Sequence, residues 1–395
     1  MFHFNHREKL DVSRARFVYG ISFFMGLSGA LVMYTASTYF SQAWKTDNIG
    51  LVYVVLHTFN LLALLFFHRL VVSFGKSATL LTLLVLQIFL ATGLSLGGVS
   101  PLASLLLMAF LAFMVLLWVS LDSILESFSI DSHSGRIRGT YLASMNAGLL
   151  MGPLLSTTLI ESYGYEGLYF IVALFFIILF FLAFVAFRSV NHLIKKRISV
   201  RKLLKEIKKR PDILFIYWVS WTLDFFYAIL VVYTPLYFRS LGMSWSDIGI
   251  ILSLALIPFV LIQYPVGRLA DKRLGEKEMI IVALAIIALS VSFMPQIESN
   301  SVLVWGILLV VGRIGAAFLE ILRDSYFYKR IDGENVGMIN FFRTSRPIAY
   351  ILASGSSALL LLFLPLSSVF WLVVGVAVIG LYPALRLQDN GVSQD

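Results

Sequence analysis

The chain has 395 residues, of which 59% are hydrophobic and 13% charged, with no cysteine and a formal net charge of +9. Soluble domains carry about 25% charged residues, and no water-soluble fold could bury this much apolar surface; disorder, a fibre and a disulfide scaffold are excluded as well. The missing thiols also remove thiolate catalysis, iron–sulfur clusters and Cys-based zinc sites.

A bilayer-crossing helix needs about 20 mostly apolar residues. Twelve such runs follow one another: 17–41 (span 1), 48–70 (2), 77–97 (3), 101–128 (4), 139–161 (5), 167–190 (6), 213–239 (7), 246–266 (8), 279–294 (9), 302–328 (10), 337–362 (11) and 367–385 (12). Short polar or glycine-bearing turns such as 46–50 and 162–167 separate them. Span 1 is too long for a signal-peptide core and shows no small-residue cleavage site, so it is expected to stay. The predicted fold is all-α and polytopic: an arm 1–15, a six-helix bundle 16–190, a basic linker 191–211, a second six-helix bundle 212–386 and a tail 387–395, with no soluble domain attached.

Orientation follows from loop Lys and Arg. One side carries Arg7, Arg16, Lys76, Arg136, Arg268, Lys329 and Arg386 among others, and the linker adds nine more between Lys195 and Arg210. The opposite side carries Lys45 and Arg239. Both termini and the linker are therefore expected in the cytoplasm, and the short loops and tails suggest a prokaryotic plasma membrane. The positive charge is mostly topological, so the linker is expected to meet anionic lipid headgroups and not nucleic acid.

The two halves repeat at an offset of 198 residues. Leu121-Asp122 matches Leu319-Glu320, Glu126-Ser127-Phe128 matches Asp324-Ser325-Tyr326, and Gly135 and Gly139 match Gly333 and Gly337. Internal symmetry of two six-helix halves is a usual design of secondary transporters. Charge placement agrees with it. Spans 3, 6, 9 and 12 hold no Asp, Glu, Lys or Arg in their interiors, whereas spans 4, 7, 10 and 11 hold Asp122, Glu126, Asp224, Arg313, Glu320, Arg323, Asp324, Arg343 and Arg346. A lipid-facing charge costs at least about 2.5–3.5 kcal/mol, so every third helix can face lipid and the charged ones must face protein or water.

With these features the chain resembles the major facilitator superfamily over nearly its whole length. Gly267-Arg268-Leu269-Ala270-Asp271-Lys272-Arg273-Leu274-Gly275, between spans 8 and 9, is similar to the family's loop signature. Its counterpart at 68–76 lacks the leading glycine and the acid, although the family usually has the stronger copy in the first half. In span 5, Gly139, Gly148, Gly152 and Pro153 resemble a pattern that the family associates with proton-exchanging exporters; small residues that let helices pack closely would look the same. The resemblance implies two bundles rocking around a central site.

The charged residues then divide into groups. Asp122 and Glu126 share a face of span 4, Glu320 and Asp324 repeat them in span 10, and Arg323 lies between. With Gly267, Arg268, Asp271 and Arg273 they are candidates for a cytoplasmic gate. Arg343 and Arg346, three apart before Pro347, could pair with those acids or hold an anionic substrate group, since guanidinium forks fit carboxylate and phosphate. Asp224, roughly 17 Å from the cytoplasmic end of span 7, shares its face with Trp221 and has Tyr227 one turn on. It reads as a lone midplane carboxylate suited to proton coupling or substrate contact, unless Arg313 or Arg346 pairs with it. His57 in span 2 and Asn146 in span 5 are further candidates, although His57 also fits a packing role.

No His/Glu cluster has metal spacing, and Gly75-Lys76-Ser77 lacks the upstream glycine of a phosphate loop, so neither a metal nor a cofactor is expected. The function expected from the sequence is secondary transport of a small organic solute by a monomer, coupled to protons (or Na+) and directed outward. An uptake symporter or lipid flippase for an anionic or amphiphilic substrate is the alternative. An intramembrane enzyme or receptor is remote, because it would need paired catalytic groups at one depth.

Overall fold

The computed structural model describes residues 12–128, 134–187, 207–262, 265–266, 269, 275–331 and 336–388. Its helices are α1 Val12–Met33, α2 Ala36–Trp44, α3 Gly50–Phe74, α4 Lys76–Gly97, α5 Pro101–Phe128, α6 Ser134–Phe187 and α7 Pro211–Ser240 in the first part of the chain. They continue as α8 Trp245–Leu254, α9 Ile257–Leu261, α10 Glu276–Phe293, α11 Val302–Tyr328, α12 Val336–Arg343, α13 Ser345–Leu360 and α14 Val369–Leu385. Among the described residues these group into twelve segments, because α1 continues into α2, α8 into α9 and α12 into α13, while α6 contains two. Eight helical stretches, the long α6 included, are long and apolar enough to cross a bilayer, and 50–64 and 245–261 are shorter apolar helices.

The segment ends follow local chemistry. Gly75 stands at φ 84°, a left-handed value that only glycine adopts without strain, and turns α3 into α4. Gly164, at φ 67°, divides α6. Spans 5 and 6 are therefore joined by one glycine kink where the sequence suggested a loop over 162–167. Three segments expected to be continuous are broken. Span 1 breaks at Tyr34–Thr35, where the Thr35 hydroxyl donates to the carbonyls of Leu31 and Val32 at 3.0 and 3.2 Å, a competition with the backbone ladder that bends helices. Span 8 breaks at Ala255–Leu256, just before Pro258, which has no N–H to continue the ladder. Span 11 breaks at Thr344, three residues before Pro347.

In each half a charged residue that opens one helix is tied to the far end of the next. Lys76, opening α4, donates to the Ser123 carbonyl of α5 at 2.8 Å. Glu276, opening α10, is buried and accepts from Ser325 at 3.0 Å and Lys329 at 2.5 Å on α11. The helices without interior charge present apolar side chains outward: Phe89 on α4, Phe181 on α6, Leu289 on α10 and Ile379 on α14 are all exposed. In a membrane protein that surface meets lipid, which is why those segments tolerate no charge.

One set of contacts that join the halves lies at the end opposite the basic loops. The Asn48 side-chain amide donates to the Ala358 carbonyl at 3.0 Å. A Cβ placed on Gly50 would sit 2.8 Å from that of Ala358 and against the Ser354 carbonyl. Gly249 of α8 lies against Thr157 and Leu154 of α6, and the Tyr165 and Trp245 rings meet edge to face at 6.4 Å. This end is thus closed by glycines packed on the opposite half. Gly50→Ala is expected to loosen this end, because the added methyl would fall on the Ser354 carbonyl and the Ala358 side chain, and the helix backbone of the opposite half cannot rotate away. A lower melting temperature and a shifted transport rate are expected; a variant that melts and transports like wild type would show that the contact is not held tightly.

Candidate functional site

The residues with most to do at membrane depth gather where α7, α11 and the α12–α13 break meet. Asp224 on α7 is 2% exposed. It is not the lone carboxylate that the sequence suggested: Arg323 of α11 lies 3.3 Å from its Oδ1. The Ser345 hydroxyl, at the first turn of α13, donates to Oδ2 at 2.6 Å. Arg323 also donates to the Ser220 hydroxyl at 2.7 Å and its carbonyl at 3.2 Å, and Ser220 and Ser345 hydrogen-bond at 3.0 Å. A buried carboxylate is therefore held by one guanidinium and one hydroxyl, and the guanidinium by two acids, since Asp324 Oδ1 lies 3.5 Å from its Nε. The pairing partner is Arg323, where Arg313 and Arg346 were the sequence candidates, because α11 places residue 323 level with residue 224 of the antiparallel α7.

Around this cluster the other candidates take distinct places. The Tyr227 hydroxyl donates to Glu320 at 3.4 Å. Tyr217 stacks on Phe341 at 4.5 Å and bonds Thr344 at 3.2 Å, which ties α7 to the α12–α13 break. Trp221 packs against Trp218 and Phe225, and its buried indole N–H has no partner. The break separates Arg343, at the end of α12, from Arg346, in the first turn of α13, and both are exposed. Arg346 lies over the Tyr350 ring at 5.8 Å. Arg313 is buried beside the rings of Phe226, Tyr227 and Phe259.

From the first half, His57 stacks on Tyr53 at 6.0 Å and meets Tyr350 of α13 at 4.5 Å. Its Nδ1 is 3.5 Å from the Asn60 amide, and its buried Nε2 has no hydrogen-bond partner. Asn146 on α6 is half-buried. Gly148 and Gly152 of the same helix lie directly on the backbone of α1, at Phe23, Leu27 and Ala30, so this stretch is a close-packing face.

The side chains of Asp122, Glu126 and Gly139, and the whole of Gly267, Arg268, Asp271 and Arg273, lie outside the described residues. Of the gate candidates, Arg323 joins the Asp224 cluster and Asp324 reaches it through Arg323. Sequence reasoning missed Tyr34, Tyr53, Ser220, Ser345 and Tyr350. Tyr34 stands at the α1–α2 break and is buried.

Two helical bundles closed at one end, with buried ion pairs and an arginine- and tyrosine-lined region between them, define an integral, multi-pass membrane transporter. The family profile of the Major Facilitator Superfamily matches residues 18–345 and 240–393, and the chain belongs to that family. Among solved structures, a crystal structure of the nucleoside transporter NupG matches with a TM-score of 0.72 and 14% identity, covering 95% of this chain and 99% of that one. At that identity the likeness concerns the fold. No curated protein matches the chain.

Proposed function

We propose that the protein moves its small-molecule substrate by alternating access coupled to protons, and that Asp224 is the proton-carrying group. The observation behind this reading is the buried Asp224–Arg323 pair. It ties α7 to α11 and, through Ser345, to the break in α13. A proton on Asp224 cancels the charge that holds Arg323, and frees that guanidinium to turn toward Asp324 or Glu320 on its own helix. Three helices around the site are then released together. With the basic loops in the cytoplasm, the packed glycines Gly50 and Gly249 close the outer end, and the exposed Arg343 and Arg346 mark the side open to cytoplasmic water. This arrangement is the inward-facing half of the cycle.

Gly148 and Gly152 pack α6 on α1, so outward transport draws no support from them, and a nucleoside is one substrate class among several. The test is purified protein in liposomes loaded with a pH-sensitive dye. An imposed proton gradient is challenged with cations, sugars, amino acids, nucleosides, aromatic acids and lipophilic drugs, on wild type and Asp224→Asn. A compound that moves protons in wild type alone supports the reading, and the sign of the dye response separates exchange from uptake together with protons. Undiminished substrate-linked proton movement in Asp224→Asn would remove Asp224 from the coupling role.

A further inference from the structure

The outer end is closed by two seams that repeat each other, α3 on α13 and α8 on α6. Each starts at a glycine: Gly50 against Ser354 and Ala358, and Gly249 against Leu154 and Thr157. Their polar groups are not equally served. In the α6–α8 seam the Thr157 hydroxyl returns to the carbonyls of Pro153 and Leu154 at 2.9 and 3.1 Å, and Tyr165 donates to Thr38 at 2.9 Å. Ser253, one turn from Gly249, has a buried hydroxyl without a partner, but a hydroxyl can rotate onto a carbonyl of its own helix.

The α3–α13 seam holds groups that cannot turn back in this way. Its contacts run inward from Gly50 through Val54, 3.6 Å from a Cβ placed on Gly355, to the His57 and Tyr350 rings at 4.5 Å. Asn48 gives its amide to the Ala358 carbonyl at 3.0 Å, yet its Oδ1 is buried and unpartnered. His57 Nε2 and Asn60 Oδ1 are buried and unpartnered as well, and the hydrogen bond between these two side chains is long, at 3.5 Å. Asn60 is 4% exposed. Counted from the paired glycines, Leu256 and Phe259 stand in the second half where His57 and Asn60 stand in the first. The second half is thus apolar at the positions where the first buries an imidazole and an amide. A polar atom sealed without a partner weighs against the state that seals it, because water serves it once the helices part.

We infer that the α3–α13 seam yields before the α6–α8 seam when the outer end opens, and that His57 and Asn60 set how readily it does so. The seam is held shut by close backbone packing at Gly50 and opposed by the dry polar atoms further in, so it closes against a built-in bias to part. This inference rests on the alternating-access reading, but its test needs neither a known solute nor proton movement.

The chain has no cysteine, so single reporters can stand at Ser354 in the α3–α13 seam and at Thr157 in the α6–α8 seam, each 1% exposed. Purified Ser354→Cys and Thr157→Cys are treated with a charged maleimide, which reaches either thiol only when its seam parts. Ser354→Cys is expected to label faster. His57→Phe and Asn60→Leu, added together, remove the polar pair and keep its bulk. They should slow Ser354→Cys labelling about tenfold, the factor for one buried polar group freed of a missing partner, and change Thr157→Cys labelling by less than about twofold. The paired variant should also melt no lower than wild type. Asn60→Leu alone leaves His57 Nδ1 without its amide, and its labelling rate should fall between. The inference is overturned if Thr157→Cys labels as fast as Ser354→Cys, or if the paired change leaves Ser354→Cys labelling as it was. It is overturned equally if both reporters slow alike, as for halves that move as one body, or if the paired variant melts well below wild type, because the two groups are then satisfied in the closed state. Labelling of neither reporter would instead remove the alternating-access reading, and this inference with it.

Discussion

Replacing Asp224 alone by Ala is expected to destabilise the protein by about 3–5 kcal/mol, more than replacing Asp224 and Arg323 together. The carboxylate is 2% exposed and lies 3.3 Å from Arg323, so neither charge has water to turn to. Removing the acid strands the guanidinium between Ser220 and Asp324, and the Ser345 hydroxyl loses its acceptor. Desolvation of a buried guanidinium left with the half-exposed Asp324 alone within ion-pair distance, and not the loss of attraction itself, is what makes the single change costly. Asp224→Asn and Arg323→Gln, made singly and together, keep the shapes of the side chains. Their unfolding midpoints in detergent should show a coupling energy of about 1–3 kcal/mol, as for groups that share one network. Additive losses would mean that the pair contributes nothing jointly, and the latch described above would then have no energetic basis.

The architecture was legible because hydrophobic run length and loop charge report directly on the bilayer. Spans 4 and 10 coincide with α5 and α11 to the residue. The breaks at Ala255 and Thr344 stand three residues before Pro258 and Pro347, which the sequence shows, whereas the break at Thr35 was not legible. Thr and Ser occur throughout these segments, and only the surrounding helices decide which hydroxyl turns back on its own carbonyls. The site was half legible. Asp224 and the arginines stand out because charge is expensive in an apolar run, but Arg323 as the partner of Asp224 was not among the pairings left open. The pairing depended on the register between α7 and α11, which no spacing within one helix encodes. The tyrosines Tyr34, Tyr53 and Tyr350 carried no signal at all, since the chain holds 17 tyrosines and 33 phenylalanines. Gly148 and Gly152 were visible as a pattern, and the structure gives that pattern a packing partner.

Gly148→Ala and Gly152→Ala should both destabilise, whereas Gly20→Ala should stabilise slightly. A methyl on Gly148 would fall on the Phe23 carbonyl and the Leu27 amide, and one on Gly152 would fall on Ala30, side chain and backbone alike. These neighbours belong to the rigid backbone of α1 and cannot rotate away. Each substitution must therefore push α6 off α1, at a cost of about 1–3 kcal/mol or more for an overpacked interior. Gly20 lies on the same α1 with nothing within 4 Å of the added methyl, and there the lower entropy cost of alanine in a helix is worth about 0.5–1 kcal/mol. The opposite signs separate packing from helix propensity in a single thermal-melt series. Transport divides the two meanings of the motif. If Gly148 and Gly152 serve packing alone, activity per folded molecule should survive in Gly148→Ala at a temperature where it remains folded. A folded Gly148→Ala protein that binds substrate but no longer couples it to protons would show that the α1–α6 contact moves during the cycle, and that its closeness is needed for exchange as well as for stability.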